Sequence, residues 1–295
     1  MPEAPHARHG ARTRVVRGGS DRAATIVMWG IALLITAVFA WILGDLIRHG
    51  LPHLSWGFLT QAPSDAGRAG GIAPILVSTM LILGVCLVVS APIGVGTAIL
   101  LSEFSARGGW YARLVRRSLD VLAGVPSIVF GLFGNTLFSI YLGMGFSILS
   151  GGLTLACMVL PILIRSTEAG LRDVPDDYRK AGAALGLSQQ AVIWRILLPA
   201  AAPGLLVGLV LGTGRALAET AALLFTSGYV DRMPESLLDS GRALSVHIYD
   251  LAMNVPGGTG RAYASALVLI VLLALINLVT AWLAEHWLHR RITRT

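Results

Sequence analysis

Two charged residues interrupt an apolar stretch in the last third of the chain. Arg215 and Glu219 lie within residues 201–226, and a spacing of four places them one turn apart on a predicted helix. A charge at the centre of a membrane helix costs about 2.5–3.5 kcal/mol, so each must be paired or hydrated. The guanidinium fork of arginine offers paired donors to an oxyanion, and a nearby carboxylate can neutralise it at rest. The spacing predicts a transient anion site or a structural ion pair, and we favour the anion site.

The elements around these residues are predicted to be membrane helices. The chain is 55% hydrophobic and 13% charged, about half the charged share of soluble domains. Six apolar stretches are long enough to cross a bilayer, approximately 25–47, 72–101, 118–140, 147–164, 201–226 and 263–286. The third contains Gly124 and Pro126 and is expected to be irregular. We therefore expect an all-α polytopic membrane protein with six transmembrane helices.

Basic residues set the predicted orientation. Of the 23 lysines and arginines, seventeen lie in the N-terminal tail, in 102–117, in 165–200 and in the C-terminal tail, against five on the opposite side. The positive-inside rule then places both termini in the cytoplasm. The net charge of +7 is therefore a topology signal. Nucleic-acid binding is not expected, because basic and aromatic residues are not interleaved.

Small residues recur every fourth position in the fifth stretch and predict a ridge for close helix packing. Its glycines are Gly204, Gly208 and Gly212, and the ridge continues to Thr220. We assign Thr220 to the predicted substrate pathway together with Arg215, Glu219 and Arg165. For Arg165, an ordinary anchoring role at the end of the fourth stretch is slightly favoured over this pathway role.

The charged segment 165–200 is long enough to indicate function. Gly186 can end a short helix in the left-handed conformation, and a second helical stretch is expected to reach Pro199. Gly186, nine residues and then Ile196-Leu197-Leu198-Pro199 resemble the coupling motif of ABC importer permeases. Where that family begins the motif with Glu-Ala-Ala, this chain has Lys180-Ala181-Gly182. The resemblance implies docking onto a separate ATPase through Lys180, Ala181, Ala184, Leu185, Gly186, Leu187 and Pro199.

Further motifs resemble the phosphate-specific ABC importer permeases of PstA type. They are Ala91-Pro92-Ile93-Gly94-Val95-Gly96, the run from Gly124 to Phe133, and Arg215-Ala216-Leu217-Ala218-Glu219-Thr220-Ala221. Ala218 and Ala222 replace a glycine and a proline that this family usually has. The resemblance implies a type I ABC importer permease fold, a place in the bacterial inner membrane and inorganic phosphate as substrate. It also implies a second homologous permease, an ATPase dimer and an extracytoplasmic phosphate-binding protein as partners.

The sequence argues against catalysis by this chain itself. Its one lysine, Lys180, lies in no Gly-x4-Gly-Lys loop, so ATP and Mg are expected on the partner ATPase. No cofactor and no metal site are expected in this chain. Alternatives are an ABC permease for sulfate, molybdate or phosphonate, or a stand-alone secondary transporter, which would not need the coupling motif.

The predicted organisation has four parts. A basic cytoplasmic tail, 1–24, precedes the first transmembrane helix and its outer loop, 25–71. The permease core, 72–286, has five transmembrane helices and includes the coupling loop, 165–200. A cytoplasmic tail, 287–295, ends the chain.

Overall fold

A computed structural model describes the backbone of residues 19–105 and 109–292, and the side chains of 22–105 and 109–282. Residues 1–18 of the predicted N-terminal tail, 1–24, therefore lie outside the described residues, and 19–24 belong to a helix. The chain separates into two compact units, with the boundary between Asp45 and Leu46. The predicted domain boundaries stay predictions.

Almost all of the described chain is helical. The α-helices are α1 (Gly19–Gly50), α2 (Trp56–Thr60), α3 (Ala73–Ile99), α4 (Trp110–Gly124), α5 (Ser127–Gly134), α6 (Ile148–Asp173), α7 (Asp176–Ala184), α8 (Gln189–Val192), α9 (Leu198–Ala200), α10 (Ala202–Ala218), α11 (Ala221–Leu224), α12 (Leu244–Met253) and α13 (Thr259–Ile292). Wider π-type turns extend α3 through Leu100–Phe104 and α5 through Asn135–Tyr141, and join α8 to α9 through Ile193–Leu197. A short antiparallel hairpin pairs β1 (Pro63–Ser64) with β2 (Ala69–Gly70).

The membrane helices confirm the predicted all-α polytopic class. Among the described residues, four helices are long and apolar enough to cross a bilayer: Arg22–His53, Ala73–Phe104, Ile148–Asp173 and Thr259–Trp282. Two bent pairs bring the number to six if each pair is one span. They are Trp110–Gly124 with Ser127–Tyr141, bent by 102°, and Gln189–Ala200 with Ala202–Ala218, bent by 64°.

Three predicted spans had wrong boundaries. The third, 118–140, is broken at Val125 and Pro126, since proline cannot continue a helix and disfavours helix in the residue before it. The fourth, 147–164, continues to Asp173 as α6, so the predicted loop 165–200 loses its first nine residues to the helix. The fifth, 201–226, ends at Ala218, where Glu219 adopts an extended backbone (φ −76°, ψ 125°).

Close contact between α3 and α6 forms the centre of the second unit. A Cβ added to Gly152 would lie 2.6 Å from Val85, and one added to Gly94 would lie 2.9 Å from Leu163. Glycine at these positions lets the two helices approach closely. Residues of α5, α10, α11 and α12 complete the same apolar core, which includes Phe130, Leu223 and Val246.

The segment between α11 and α13 is fixed by a polar cluster that joins Arg242, just before α12, to two residues of α12. Arg242 donates to the carbonyl of Tyr229 at 2.8 Å and lies 3.3 Å from the carboxylate of Asp250. His247 is 1% exposed, and its Nδ1 lies 3.5 Å from Arg242 Nη1. Burial, reinforced by the positive charge of Arg242, lowers the pKa of His247 to about 4. The imidazole is therefore neutral at physiological pH.

Candidate coupling surface and transport pathway

The predicted coupling loop folds as a short helix with a defined end. Asp176 and Asp177 lie in the first turn of α7, where negative side chains stabilise the helix by interacting with its dipole. Gly186 has φ +70°, which confirms the predicted left-handed position. The amide of Gly186 donates to Ala183 O at 3.0 Å and that of Leu187 to Gly182 O at 3.1 Å. This pairing is the Schellman motif, which terminates the helix and turns the chain back.

The outward face of α7 is exposed and partly apolar. Lys180, Ala181, Ala184, Leu185, Gly186 and Leu187 are all exposed. Leu185 is 77% exposed and Leu187 39%. Exposed leucine side chains at the end of a helix are available for contact with a partner protein. Pro199 is not part of this face: it is half-buried in α9, just before the 64° bend into α10.

A half-buried arginine, Arg179, fixes α7 to the end of α3. Arg179 Nε donates to Glu103 Oε2 at 3.0 Å, and its Nη2 donates to Glu103 Oε1 at 2.7 Å. The same guanidinium donates to the carbonyls of Leu171 and Val174, each at 2.9 Å. Hydrogen bonding to Glu103 raises the pKa of Arg179, so the arginine stays charged. Four bonds from one side chain therefore join the coupling helix to both α3 and α6.

Apolar packing secures the other side of α7. A Cβ on Gly182 would lie 2.6 Å from Val192 Cγ2, so α7 and α8 meet without room for a side chain. Gly182 occupies the position where the ABC importer motif has alanine.

Ion pairs join α4 to the same end of α6. Glu168 is 8% exposed at its side chain and lies 2.8 Å from both Arg116 of α4 and Arg172 of α6. Arg165 forms an ion pair with Asp120 of α4, and both side chains are about half exposed. Arg165 is thus within a continuous helix and already paired with a carboxylate, an arrangement suited to joining helices.

Arg215 lies on an exposed stripe of α10. The exposed residues Pro203, Val207, Leu211 and Arg215 are spaced by four and share one face of the helix. No ion pair involves Arg215 among the residues that the structure describes. The arginine is therefore a charge without a counter-charge on a face that is otherwise apolar.

The predicted pairing of Arg215 with Glu219 is wrong in its geometry. Because α10 ends at Ala218, Glu219 is not one helical turn beyond Arg215, and no ion pair joins them. Glu219 instead accepts weakly from the amide of Ala222 at 3.4 Å, and its carbonyl accepts from Ser245 Oγ at 2.6 Å. Thr220 is half-buried at the start of α11, in the same non-helical junction. Arg215, Glu219 and Thr220 thus lie where a membrane helix is interrupted.

The glycine ridge of α10 lies against α6. A Cβ on Gly204 would lie 2.6 Å from the Cα of Gly170, and one on Gly212 would lie 2.6 Å from Val159 Cγ1. A Cβ on Gly208 would lie 3.0 Å from Ser166. Ser166 Oγ also donates to Gly204 O at 2.6 Å. This ridge is therefore a different face of α10 from the exposed stripe that carries Arg215, about 100° away around the helix axis.

Comparison with known proteins shows the family. Residues 90–294 match the family model of the binding-protein-dependent transport system inner membrane component. The chain belongs to this family. It is 30% identical to the probable ABC transporter permease protein YqgI of Bacillus subtilis over 93% of this chain and 98% of the relative. It is 34% identical to the phosphate transport system permease protein PstA 2 of Mycobacterium bovis over 88% of this chain and 85% of the relative.

A solved structure supports the permease fold. A chain of a bacterial alginate ABC transporter, solved with a pentasaccharide-bound periplasmic protein, aligns over 95% of this chain and 99% of its own length. The TM-score is 0.62 at 17% identity. The fold is therefore that of an ABC importer permease. Within the described residues, no cluster of three or more histidine, cysteine or acidic side chains is arranged to hold a metal ion.

Sequence reasoning missed the pair that anchors the coupling helix. In the sequence, Glu103 is only an acidic residue after the second apolar stretch, and Arg179 only one of the basic residues of segment 165–200. A carboxylate directly at the end of an apolar run was a usable signal, because such a charge needs a partner.

Proposed function

We propose that this chain is the permease subunit of an ATP-driven ABC importer that carries inorganic phosphate into the cytoplasm. The observation that carries the proposal is Arg215. It is an exposed arginine on an apolar face of a helix, with no ion pair to any described residue, in a permease whose relatives include phosphate transport system permeases. A charge on such a face needs water or an anion.

Phosphate would be bound only transiently at this arginine. The guanidinium presents paired donors in one plane, which match two oxygens of a tetrahedral oxyanion. A second permease facing the stripe Val207–Arg215 would close an aqueous pathway between the two subunits. Glu219, in the interrupted stretch just beyond Arg215, would limit the residence time of the anion by repulsion.

ATP would be used by a separate pair of ATPase subunits that dock on α7. The exposed leucines at the end of α7 supply the apolar contact, and Arg179 transmits its displacement to α3 and α6 through hydrogen bonds at 2.7–3.0 Å. An extracytoplasmic phosphate-binding protein would deliver the substrate. The excess of basic residues in 102–117 and 165–200 supports an orientation with both termini in the cytoplasm.

Substitution of Arg215 tests the proposal. The whole complex is reconstituted into vesicles, and ATP-dependent uptake of radiolabelled phosphate is measured beside thermal stability in detergent. Arg215→Met should abolish uptake and leave thermal stability unchanged, because Arg215 has no ion-pair partner to lose within the part of the chain that the structure describes. Arg215→Lys should also be impaired, since a point charge cannot reproduce the planar fork.

A matched control lies one turn away on the same stripe. Leu211→Met changes the shape of that face without changing its charge, and should keep uptake within about twofold, since ordinary surface substitutions change free energies by less than about 0.5 kcal/mol. Normal uptake by Arg215→Met would contradict the pathway role. Competition by sulfate or molybdate as strong as that by phosphate would instead indicate another oxyanion, and uptake without ATP would indicate a secondary transporter.

A further inference from the structure

Helix α4 has an outer face that no other part of the described chain covers. Ala112 and Leu119 are buried on the inner face, where they pack with Leu101 and Ile164. On the opposite side Trp110 is 72% exposed, Leu114 53% and Val121 71%. Arg117 is exposed on the same stripe. The protein core covers the inner face of α4, so the apolar residues of the outer face need lipid or another protein to cover them.

The orientation of α4 differs from that of the membrane helix that follows it. The bend between Trp110–Gly124 and Ser127–Tyr141 is 102°. If the segment Ser127–Tyr141 runs across the bilayer, α4 lies close to the plane of the membrane. Its fifteen residues would extend for about 22 Å along that plane.

The charges on the outer face are positive and without a carboxylate partner. Arg113 and Arg117 are exposed, and neither has an ion pair among the described residues. Arg116 instead points inward to Glu168, and Asp120 is occupied by Arg165. The outer face of α4 therefore combines two free cations with an apolar stripe.

The aromatic residues at the start of α4 indicate the depth of the helix. Trp110 and Tyr111 are both exposed, and their rings meet edge to face with centroids 6.1 Å apart. Tryptophan and tyrosine concentrate where the polar headgroups meet the hydrocarbon. Interfacial helices combine such aromatic residues with apolar ones on one side and arginines beside them.

We propose that α4 is an interfacial helix that binds anionic phospholipid headgroups. Arg113 and Arg117 contact the headgroup phosphates, and the stripe Trp110, Leu114 and Val121 enters the acyl boundary. A lipid fits this face better than a protein, because its two unpaired cations need anions beside an apolar layer. The inference rests on the membrane orientation proposed above, which places α4 at the cytoplasmic leaflet.

Lipid binding at α4 has a path to the coupling helix. Arg116 on the inner face of α4 binds Glu168 of α6 and donates to the carbonyl of Leu101 at 3.2 Å. Leu101 lies two residues before Glu103, which anchors Arg179. A headgroup that holds α4 in the membrane plane therefore stabilises the same network that fixes α7.

Local fluorescence quenching tests the proposal in the whole complex. A fluorophore is attached at Val121→Cys, and the complex is placed in nanodiscs of phosphatidylcholine and phosphatidylglycerol. Two samples are compared: in one only the phosphatidylglycerol is brominated, and in the other only the phosphatidylcholine. Brominated phosphatidylglycerol should quench more strongly than brominated phosphatidylcholine. Two basic residues near an anionic surface raise the affinity for anionic lipid by about 30-fold. The double variant Arg113→Gln with Arg117→Gln should therefore lose a preference for phosphatidylglycerol of up to that size.

The control is Arg195→Gln, an exposed arginine on the same predicted side, which should keep the preference. Equal quenching by both lipids in the unmodified complex would overturn the headgroup site. Protection from both lipids and from acrylamide would assign the face to a second permease or an ATPase, and would equally overturn it. The measurement uses neither phosphate nor ATP, so its failure is distinguishable from failure of the proposed transport function.

Discussion

Removing Arg179 should detach the coupling helix without unfolding the membrane core. Arg179→Gln leaves Glu103 with its side chain 7% exposed and without its cation. Breaking a fully buried ion pair costs about 3–5 kcal/mol. Since Arg179 is 26% exposed, water can partly replace it, and we expect about 2 kcal/mol.

Hydrogen exchange at α7 measures this loss directly. If α7 exchanges through local opening, a loss of about 2 kcal/mol speeds exchange of its amides about 30-fold. The amides of α6 around Leu155 and Leu163, deep in the core, should be unchanged. In the assembled complex, basal ATP hydrolysis should continue while phosphate uptake falls, because the docked helix no longer moves α3.

A neighbouring arginine supplies the control. Arg172 is 52% exposed, and its partner Glu168 keeps Arg116 when Arg172 is replaced. Arg172→Gln should therefore cost less than about 1 kcal/mol, like other exposed pairs. Glu103→Gln with Arg179→Gln removes both charges and should cost less than the sum of the single variants. Exchange of α7 that is unaffected by Arg179→Gln, or fully additive effects, would refute the reasoning.

Three further predictions concern backbone, packing and pH. Gly186→Val should uncouple transport from ATP hydrolysis, because a backbone φ of +70° costs a β-branched residue at least about 1–2 kcal/mol. Gly186→Asn should retain coupling, since asparagine tolerates this conformation. Normal uptake by the valine variant would argue against a coupling role. Gly204→Ala should lower the melting temperature, since the added Cβ would lie 2.6 Å from Gly170 Cα. Gly214→Ala should not lower it, because its Cβ would lie 3.7 Å from Leu273 Cδ1, an ordinary contact. Equal melting temperatures of the two variants would contradict the close packing of α10 on α6. The depressed pKa of His247 means that the unfolded chain binds its proton first as pH falls, so stability should decrease below about pH 6.5 until the folded pKa near 4 is reached. From pH 7.5 to 5 the loss should be about 2 kcal/mol, and a melting curve of His247→Gln with the same pH dependence would show that another group is responsible.

Periodicity and composition were sufficient for the fold class and for the coupling loop. Lipid imposes helices on long apolar stretches because their backbone groups must be satisfied internally. The left-handed end at Gly186 was also predictable, since glycine at the end of a helix pays no Cβ penalty. These features depend on residues that are near one another in the sequence.

The tertiary structure alone decided where α10 ends and which charges meet. Arg215 and Glu219 have helical spacing, yet α10 stops at Ala218 and Glu219 contacts α11 and Ser245 instead. Arg179 and Glu103 are 76 residues apart, and no local pattern joins them. Their pairing follows from the packing of α3 against α6, which brings a buried carboxylate and the coupling helix to the same place. A charge in an apolar setting shows from sequence that a partner is needed, but only the fold determines which partner comes within reach.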